Sequence, residues 1–494
     1  MRIGPAPREP LRLGRATFRC VQEQETRAAQ KVHFVSLGCA KNRVDTEVML
    51  GVACGTGASL CEDAADADVI VVNTCGFIES AKAESIDTIL ELAQHKTSGR
   101  CTKLVVAGCL SQRYSGDLAE SMPEVDHFLG SSDMLALGPL LRGATQERLL
   151  VGHPANYQMQ ASDPRVLSLR PHSAYVKIAE GCNRVCAFCA IPGIRGKQRS
   201  RPVADIVAEV TGLVRQGTVE VNLVSQDTVA YGRDIEGRPT LAELLRALDN
   251  VEGLHWVRVH YLYPETLTEA LIDCFADPAS KTLPYIDMPL QHASDNMLKR
   301  MRRGHSAERL YRVVERLRER IPNMTFRTTF IVGHPGETEE DFAALLRFVE
   351  WAAFDHVGTF VYSHEEGTEA GAATDLVPEE VALARRDALM TLQQRIGEQR
   401  QQRHLGQHIR VLVDGPSQEH ALLAQGRHEG QALEVDGVVH LTDCAATPGR
   451  FVEAEVTHVS GYDLVARPVE PEDFDIDLST LPRPTKAKRA LAVI

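Results

Sequence analysis

The chain has 494 residues, 44% of them apolar and 24% charged, with a formal net charge of −13. This is too long for one core and too ordinary in composition for a disordered or fibrous protein, so two to four globular domains are expected. Such an acid excess argues against affinity built on phosphate contacts and favours a basic protein partner, although it leaves room for a local basic patch.

Residues 1–30 are polar and Arg-rich without the apolar stretch of a secretory signal, and read as a disordered leader. No apolar run in the chain reaches the roughly 20 residues of a membrane span. Twelve cysteines without a secretion signal point to a reducing cytoplasm, where clustered thiols serve metals or catalysis rather than disulfides.

A first domain is expected over 31–152, where three segments share one design: VHFVSLGC (32–39), VIVVNTC (69–75) and KLVVAGC (103–109). Each is a short, continuously apolar run, the pattern of a strand buried on both faces. A helical pattern follows each, as in 80–93, where Ile86, Ile89, Leu90 and Ala93 share a face. Strands alternating with helices imply an α/β domain with a parallel, doubly wound sheet. Cys39, Cys75 and Cys109 then fall at the C-terminal ends of their strands, along the edge where open α/β sheets bind ligands. One cysteine there would be core filling. Three at equivalent positions, 36 and 34 residues apart, read as thiolates converging on a metal cluster with one iron left open. Gly38, Gly76 and Gly108 beside them are expected to let the backbone pass close to a bulky ligand. Cys20, Cys54, Cys61, Cys101, Cys274 and Cys444 lack such placement and read as structural.

After a polar, Pro-containing linker at 152–171, a second domain is expected over 168–400. Its first loop, EGCNRVCAFCAIPGIRGKQRSRP (180–202), holds Cys182, Cys186 and Cys189 in a CxxxCxxC triplet. Thiolates are the soft ligands of iron–sulfur clusters and zinc. A four-cysteine zinc site normally shows two CxxC pairs, and no second pair exists here. Three thiols leave a four-iron cluster with one iron free to bind a small molecule and pass it an electron. Strand candidates at 175–179, 219–225, 255–262, 285–289, 325–332 and 356–362 alternate with helical stretches, the first running from Pro202 to Gly217. Five or six such units make a partial or full barrel, with its chemistry at the strand ends. Two of those ends are Ser225-Gln226-Asp227 and Leu290-Gln291-His292. The run RTTFIVGHPGETEEDF (327–342) joins a strand, a Gly-His-Pro-Gly turn and a helix start, with Thr338 and Asp341 in capping-box positions. Backbone amides of that turn suit polar ligand groups, although its glycines lack the spacing of a phosphate loop. Arg327 serves either a ligand or a structural salt bridge; His292, a lone histidine, reads as a satisfied core residue.

A long polar helix over 378–403 leads into IRVLVDG, HALLAQGR, ALEVDGVVHL and FVEAEVTHVS, glycine-bounded segments of a small antiparallel barrel at 401–470. Between 405 and 467 four Arg or Lys stand against nine Asp or Glu, a surface expected to repel phosphate backbones and attract basic proteins. Residues 471–494, basic from Leu481, read as a solvated tail.

These motifs carry a family resemblance. The CxxxCxxC spacing, with Phe188 before its last cysteine, resembles the radical S-adenosylmethionine (SAM) superfamily. SLGCAKNRVDTEVMLG (36–51), VVNTCGFIESAKAES (71–85) and VAGCLSQRY (106–114) resemble the amino-terminal domain of the methylthiotransferases. The last barrel is similar to the TRAM domain, often an RNA-binding module. CAKNRVD (39–45), SQDTVAYG (225–232) and GTFVYSHEEGTEA (358–370) resemble the branch that modifies an aspartate of ribosomal protein S-twelve. The tRNA-adenosine branch differs after the first cysteine and has a more basic last domain.

The resemblance implies an open, six-strand (β/α)6 barrel in the middle. It implies an auxiliary 4Fe–4S cluster on Cys39, Cys75 and Cys109, and a radical SAM 4Fe–4S cluster on Cys182, Cys186 and Cys189. Gln226, Arg327 and Gly333 are then the candidate SAM contacts. In the implied reaction one SAM methylates a sulfur at the auxiliary cluster. A second SAM is cleaved to a 5′-deoxyadenosyl radical, which takes a hydrogen from the aspartate β-carbon, and the carbon radical captures the methylthio group. Acid–base groups alone cannot open such a C–H bond, hence the cofactor. The implied partners are S-twelve, free or on the ribosome, and an electron donor. A tRNA-adenosine methylthiotransferase is the alternative, and a non-catalytic iron–sulfur RNA-binding protein a more distant one that leaves the triplet unexplained.

Overall fold

In the computed structural model, which describes residues 30–470 except 418, 421 and 446, the apolar runs of the first domain become strands. They are β1 (Lys31–Ser36), β3 (Val69–Thr74) and β4 (Lys103–Gly108), joined by β2 (Ser59–Leu60), β5 (His127–Leu129) and β6 (Leu149–Leu150). Every neighbouring pair is parallel, in the order β2-β1-β3-β4-β5-β6. Alternate residues feed two cores. Val69, Val71, Val105 and Ala107 pack with Met49, Leu50 and Ala53 of the helix Ala40–Gly55. Ile70, Val72, Leu104 and Val106 pack with Ile89 and Leu92 of the helix Glu79–Ala93 and with Leu110 and Leu118 of the helix Cys109–Ser121. Burial on both faces is what the unbroken apolar runs encode. Chain direction across the sheet reverses between β1 and β3, the switch point at which open sheets bind ligands. The leader to residue 29, Cys20 within it, and the tail from 471 lie outside the described residues.

The predicted linker is a packed segment. Gly51 lies so close to it that an added Cβ would stand 2.4 Å from the Pro164 carbonyl carbon. Arg165 bonds Glu47 of the first domain and Glu209 of the second.

The second domain follows with β7 (Ser173–Lys177), β8 (Ala179–Glu180), β9 (Arg199–Ser200), β10 (Glu220–Val224), β11 (Trp256–Val259), β12 (Tyr285–Asp287), β13 (Thr325–Val332) and β14 (His356–Val361). The parallel strands β7, β10 and β11 form one sheet and β12, β13 and β14 another. A bridge between Val257 and Thr282 joins the two. Among the described residues nothing pairs β14 with β7, so the barrel is of the open, six-strand form. The short antiparallel ladder of β8 and β9 pinches off the cysteine loop between them.

Beyond the helix Glu379–Gln401, strands β15 (His408–Pro416), β16 (Ala424–Arg427), β17 (Val439–Leu441), β18 (Phe451–Ser460) and β19 (Asp463–Pro468) close into a barrel, ordered β15-β16-β17-β19-β18. Two expectations need correction. HALLAQGR and ALEVDGVVHL contribute strand only in their last few residues, and β19 was not anticipated at all. It alternates, burying Leu464, Ala466 and Pro468, and pairs with both β17 and β18, which removes the free edges.

This barrel is joined to the second domain by buried charge. Glu220 of β10 is fully buried and meets Arg427 at 2.8 Å and Arg258 at 3.3 Å. Arg427 also meets Asp414 at 2.8 Å, and Asp414 meets His172 at 2.8 Å. Burial alone would raise the Glu220 carboxyl, but Arg427 and Arg258 outweigh it and hold it at about 2 instead of 4.5. Glu220→Gln leaves two buried guanidinium groups short of a carboxylate, with an expected stability loss of about 3 kcal/mol or more in chemical denaturation. Because the folded value is depressed, this contribution is complete above 4.5 and lost as pH falls towards about 2. The variant's denaturation midpoint should therefore fall less than wild type's over that acid window.

Candidate metal centres

Cys39, Cys75 and Cys109 sit together on the C-terminal edge of the first sheet, three residues beyond β1 and directly after β3 and β4. Their thiols are free, and Cys39 is the exposed one. The glycines beside them act differently from expectation. Gly38 (φ +86°) leaves space that Cys75 fills, since an added Cβ would lie 2.8 Å from its Cβ. Gly108 (φ +98°) does the same for Thr74, whose carbonyl oxygen would be 2.6 Å from a Cβ. The missing side chains let the strand ends approach one another, rather than let backbone approach a ligand.

Burial pushes the Cys75 thiol up to about 12, and the negative charges of Cys39 and Cys109 add to this. Cys109 is raised by burial although Arg195 opposes it. At Cys39 desolvation also raises, but Lys41 and Arg195 outweigh it and the thiol falls below its ordinary value.

Cys182, Cys186 and Cys189 occupy the loop pinched by β8 and β9. Gly181 (φ +78°) would place a Cβ 2.3 Å from the Lys197 carbonyl oxygen, so only glycine lets the loop close on itself. The Cys182 amide donates to the Gly196 carbonyl at 3.0 Å, and the Cys189 amide to the Cys186 carbonyl at 3.1 Å. Arg303 Nη1 lies 3.4 Å from Cys186 Sγ. Burial raises Cys182 to about 11 and Cys189 to about 12. Around this loop lie buried polar atoms without partners, among them Gln226 Oε1, Asp227 Oδ1, Gln291 Oε1 and Arg184 Nη2. Such atoms can accept a polar occupant. A cleft of about 240 Å³ opens beside Arg184 and Asp227.

One guanidinium joins the two triplets. Arg195, 2% exposed, leaves the CxxxCxxC loop and places Nε and Nη2 each 3.3 Å from Cys109 Sγ. It also meets Asn42 at 2.5 Å, Asp45 at 3.0 Å and Glu180 at 3.0 Å. Lys177 completes the set, reaching Asp45 at 2.5 Å and Glu180 at 2.6 Å. Burial alone would raise the Glu180 carboxyl, but Arg195 and Lys177 hold it far below its ordinary range. None of these residues was anticipated. The available signal was charged residues packed inside the motifs, with Glu180 and Arg195 on either side of the triplet and Asn42 and Asp45 within CAKNRVD.

Of the candidate SAM contacts, Gln226 lies at the site, its Nε2 donating to Glu180 at 2.9 Å while its Oε1 stays unpartnered. Arg327 is taken by the salt-bridge alternative, meeting Asp436 of the last barrel at 2.9 Å. At Gly333 the amide donates to the Glu337 carboxylate, and the Gly336 amide donates to the Asp375 carbonyl, so these two amides are engaged within the fold. Thr338 and Asp341 form the expected capping box. His292 is fully buried and satisfied by Glu337 at 3.0 Å. Cys101, Cys274 and Cys444 are core residues.

An open parallel barrel with a CxxxCxxC loop at its mouth, facing a second cysteine triplet, defines a radical SAM protein with an auxiliary centre. Comparison with known proteins agrees: residues 176–349 match the radical SAM superfamily, 31–130 the uncharacterized protein family UPF0004, and 405–469 the TRAM domain. The chain is 55% identical over 452 residues to ribosomal protein uS12 methylthiotransferase RimO of Sorangium cellulosum, covering 90% of this chain and 92% of that one. It is 48% identical over 463 residues to the protein of that name from an Anaeromyxobacter species, covering 93% and 98%. The chain belongs to this family of uS12 methylthiotransferases. In fold it is like the radical SAM methyltransferase TsrM from Kitasatospora setae, with TM-score 0.50 and 16% identity over 70% of this chain and 77% of that one.

Its cofactors are accordingly 4Fe–4S clusters and SAM. The donor sets fit them. No three His, Cys, Asp or Glu side chains among the described residues converge tightly enough for a single metal ion. A four-iron cluster asks for something else, because each thiolate takes a different iron. Arg195→Met would leave two buried carboxylates, Asp45 and Glu180, to share Lys177 alone and take the donors from Cys109. The expected loss of stability is about 3–5 kcal/mol, read from the denaturant midpoint of the full chain.

Proposed function

We infer that this enzyme methylthiolates uS12, the small-subunit protein S-twelve, on the β-carbon of an aspartate, in the cytoplasm. The observation that carries the reading is the joining of two cysteine triplets through Arg195 in a chain of this family. Cys182, Cys186 and Cys189 would hold the cluster that binds SAM, and Cys39, Cys75 and Cys109 the auxiliary one. When bound, the clusters and SAM supply a carbon-centred radical and a transferable methylthio group.

The chain's own residues prepare the site. Cys75, Cys182 and Cys189 keep their protons until iron arrives, so loading releases protons and weakens in acid. Gln226 offers its unpartnered carbonyl oxygen to the SAM ammonium. The segment after β14 ties the domains together: Glu365, 1% exposed, meets Arg113 at 2.7 Å and Lys82 at 3.2 Å, and the Ala370 amide donates to Ala187 inside the cysteine loop. This strap helps hold the two triplets at a fixed separation. The net charge of −13 suits a basic protein partner. An external reductant must supply the electron. No helix among the described residues is long and apolar enough to cross a membrane.

Mass spectrometry of ribosomal proteins from cells with and without the gene tests the substrate. Deletion should remove one methylthio group from a uS12 aspartate, whereas an unchanged uS12 with altered tRNA would transfer the reaction to the alternative substrate. The auxiliary assignment has its own check. Cys75→Ala should still form 5′-deoxyadenosine from SAM but insert no sulfur, and retained methylthiolation would sink the assignment.

A further inference from the structure

Lys41 stands in the first turn of the helix Ala40–Gly55, two residues after Cys39, and is only 9% exposed. Other basic side chains at this domain boundary end on carboxylates: Lys82 and Arg113 on Glu365, Lys177 and Arg195 on Asp45. Lys41 reaches across too, but its Nζ lies 3.6 Å from the centroid of the Tyr261 ring. Among the described residues it has no carboxylate partner. Nor can the neighbouring network supply one. There Lys177 and Arg195 are already matched, charge for charge, by Asp45 and Glu180. Lys41 is thus the basic side chain here with no carboxylate of its own, its charge facing only the Tyr261 ring and the Cys39 thiol.

A buried cation short of a carboxylate costs several kcal/mol, of which a desolvated cation–π contact returns about 2 kcal/mol or somewhat more. An ammonium has three N–H donors, and one aromatic partner cannot satisfy them all. Tyr261 adds a second observation. It follows β11 at the barrel mouth with φ +60°, a left-handed conformation that is strained for a bulky side chain. Strain of this kind persists where surrounding structure holds a side chain to a task. Here it sets the ring beneath Lys41, beside Cys39, the most exposed residue of its triplet.

We propose that Lys41, seated on Tyr261, receives the side-chain carboxylate of the substrate aspartate and makes the site selective for it. The carboxylate is bonded directly to the reacting β-carbon, so holding the one holds the other a single bond away. An amide at that position brings no charge to match the ammonium. The proposal rests on the reading of a uS12 aspartate as substrate.

The test measures binding of the cluster-loaded enzyme to small ribosomal subunits whose uS12 carries either Asp or Asn at the modified position. Wild-type enzyme should prefer Asp by about ten-fold or more, the size of a hydrogen bond between charged groups. Lys41→Gln should bring the two towards parity while keeping wild-type iron content. A Lys41→Gln enzyme that keeps the preference overturns the proposal. So does one that loses iron, because Lys41 then serves chiefly the cysteines. Should the variant not fold, the wild-type enzyme decides alone, and equal binding of Asp and Asn subunits overturns the proposal. Failure of the wild-type enzyme to modify uS12 at all is a separate result and strikes the functional reading instead.

Discussion

Arg195 bonds Cys109, Asn42, Asp45 and Glu180 from a position 2% exposed, and these partners come from both sides of the domain boundary. A charge withdrawn so far from water must be compensated on every side, and its partners must stand at hydrogen-bonding distance. That requirement fixes how the first domain sits on the barrel. The helix carrying Asn42 and Asp45 begins right after Cys39, and Glu180 precedes Cys182 by two residues. Setting the guanidinium therefore sets both triplets. Lys177 then neutralises what Arg195 alone cannot, and the boundary closes without excess negative charge.

Close approach within each triplet depends on a different constraint. Three strand ends can bring their cysteines together only if nothing projects between them, and Gly38 and Gly108 meet this by adopting positive φ against Cys75 and Thr74. In the other loop Gly181 plays the same part against Lys197. The protein thus spends its conformationally free residues on packing loop against loop. Beside the CxxxCxxC loop, Gln226 Oε1 is left without a partner, where a ligand can take it up.

Much of this was legible in the sequence, for physical reasons that also mark its limits. Strands buried on both faces leave unbroken apolar runs, so β1, β3 and β4 stood out, and their cysteines with them. The six barrel strands were readable on similar grounds. The Arg195–Cys109 contact was not, because it joins residues 86 positions apart and leaves no periodic trace. The bond from the Gly-His-Pro-Gly turn to Glu337 was not legible, because a glycine turn that binds a ligand and one that binds its own Glu337 look alike until the carboxylate is placed. Strand β19 escaped because six residues ending in proline carry too little pattern. The acid count of the last domain includes two carboxylates that do not reach its surface. Asp414 and Asp436 are buried in ion pairs with Arg427 and Arg327 and show solvent almost nothing.

Those ion pairs change what the last barrel can be. A TRAM-like module that only gathered substrate could hang on a flexible joint, with its charges turned outward. Here Arg427 reaches back to Glu220 at the centre of the second domain, and Asp436 reaches Arg327 on β13, all of them nearly or fully withdrawn from solvent. Apolar residues of the same size would stabilise such a contact as well or better; buried charges instead penalise every orientation in which their partners fail to meet. A macromolecular substrate must present one carbon atom to a reactive site, and small errors in its docking angle grow with distance from the point of contact. Any surface of the barrel that touches the substrate is thereby held in register with the cysteine triplets.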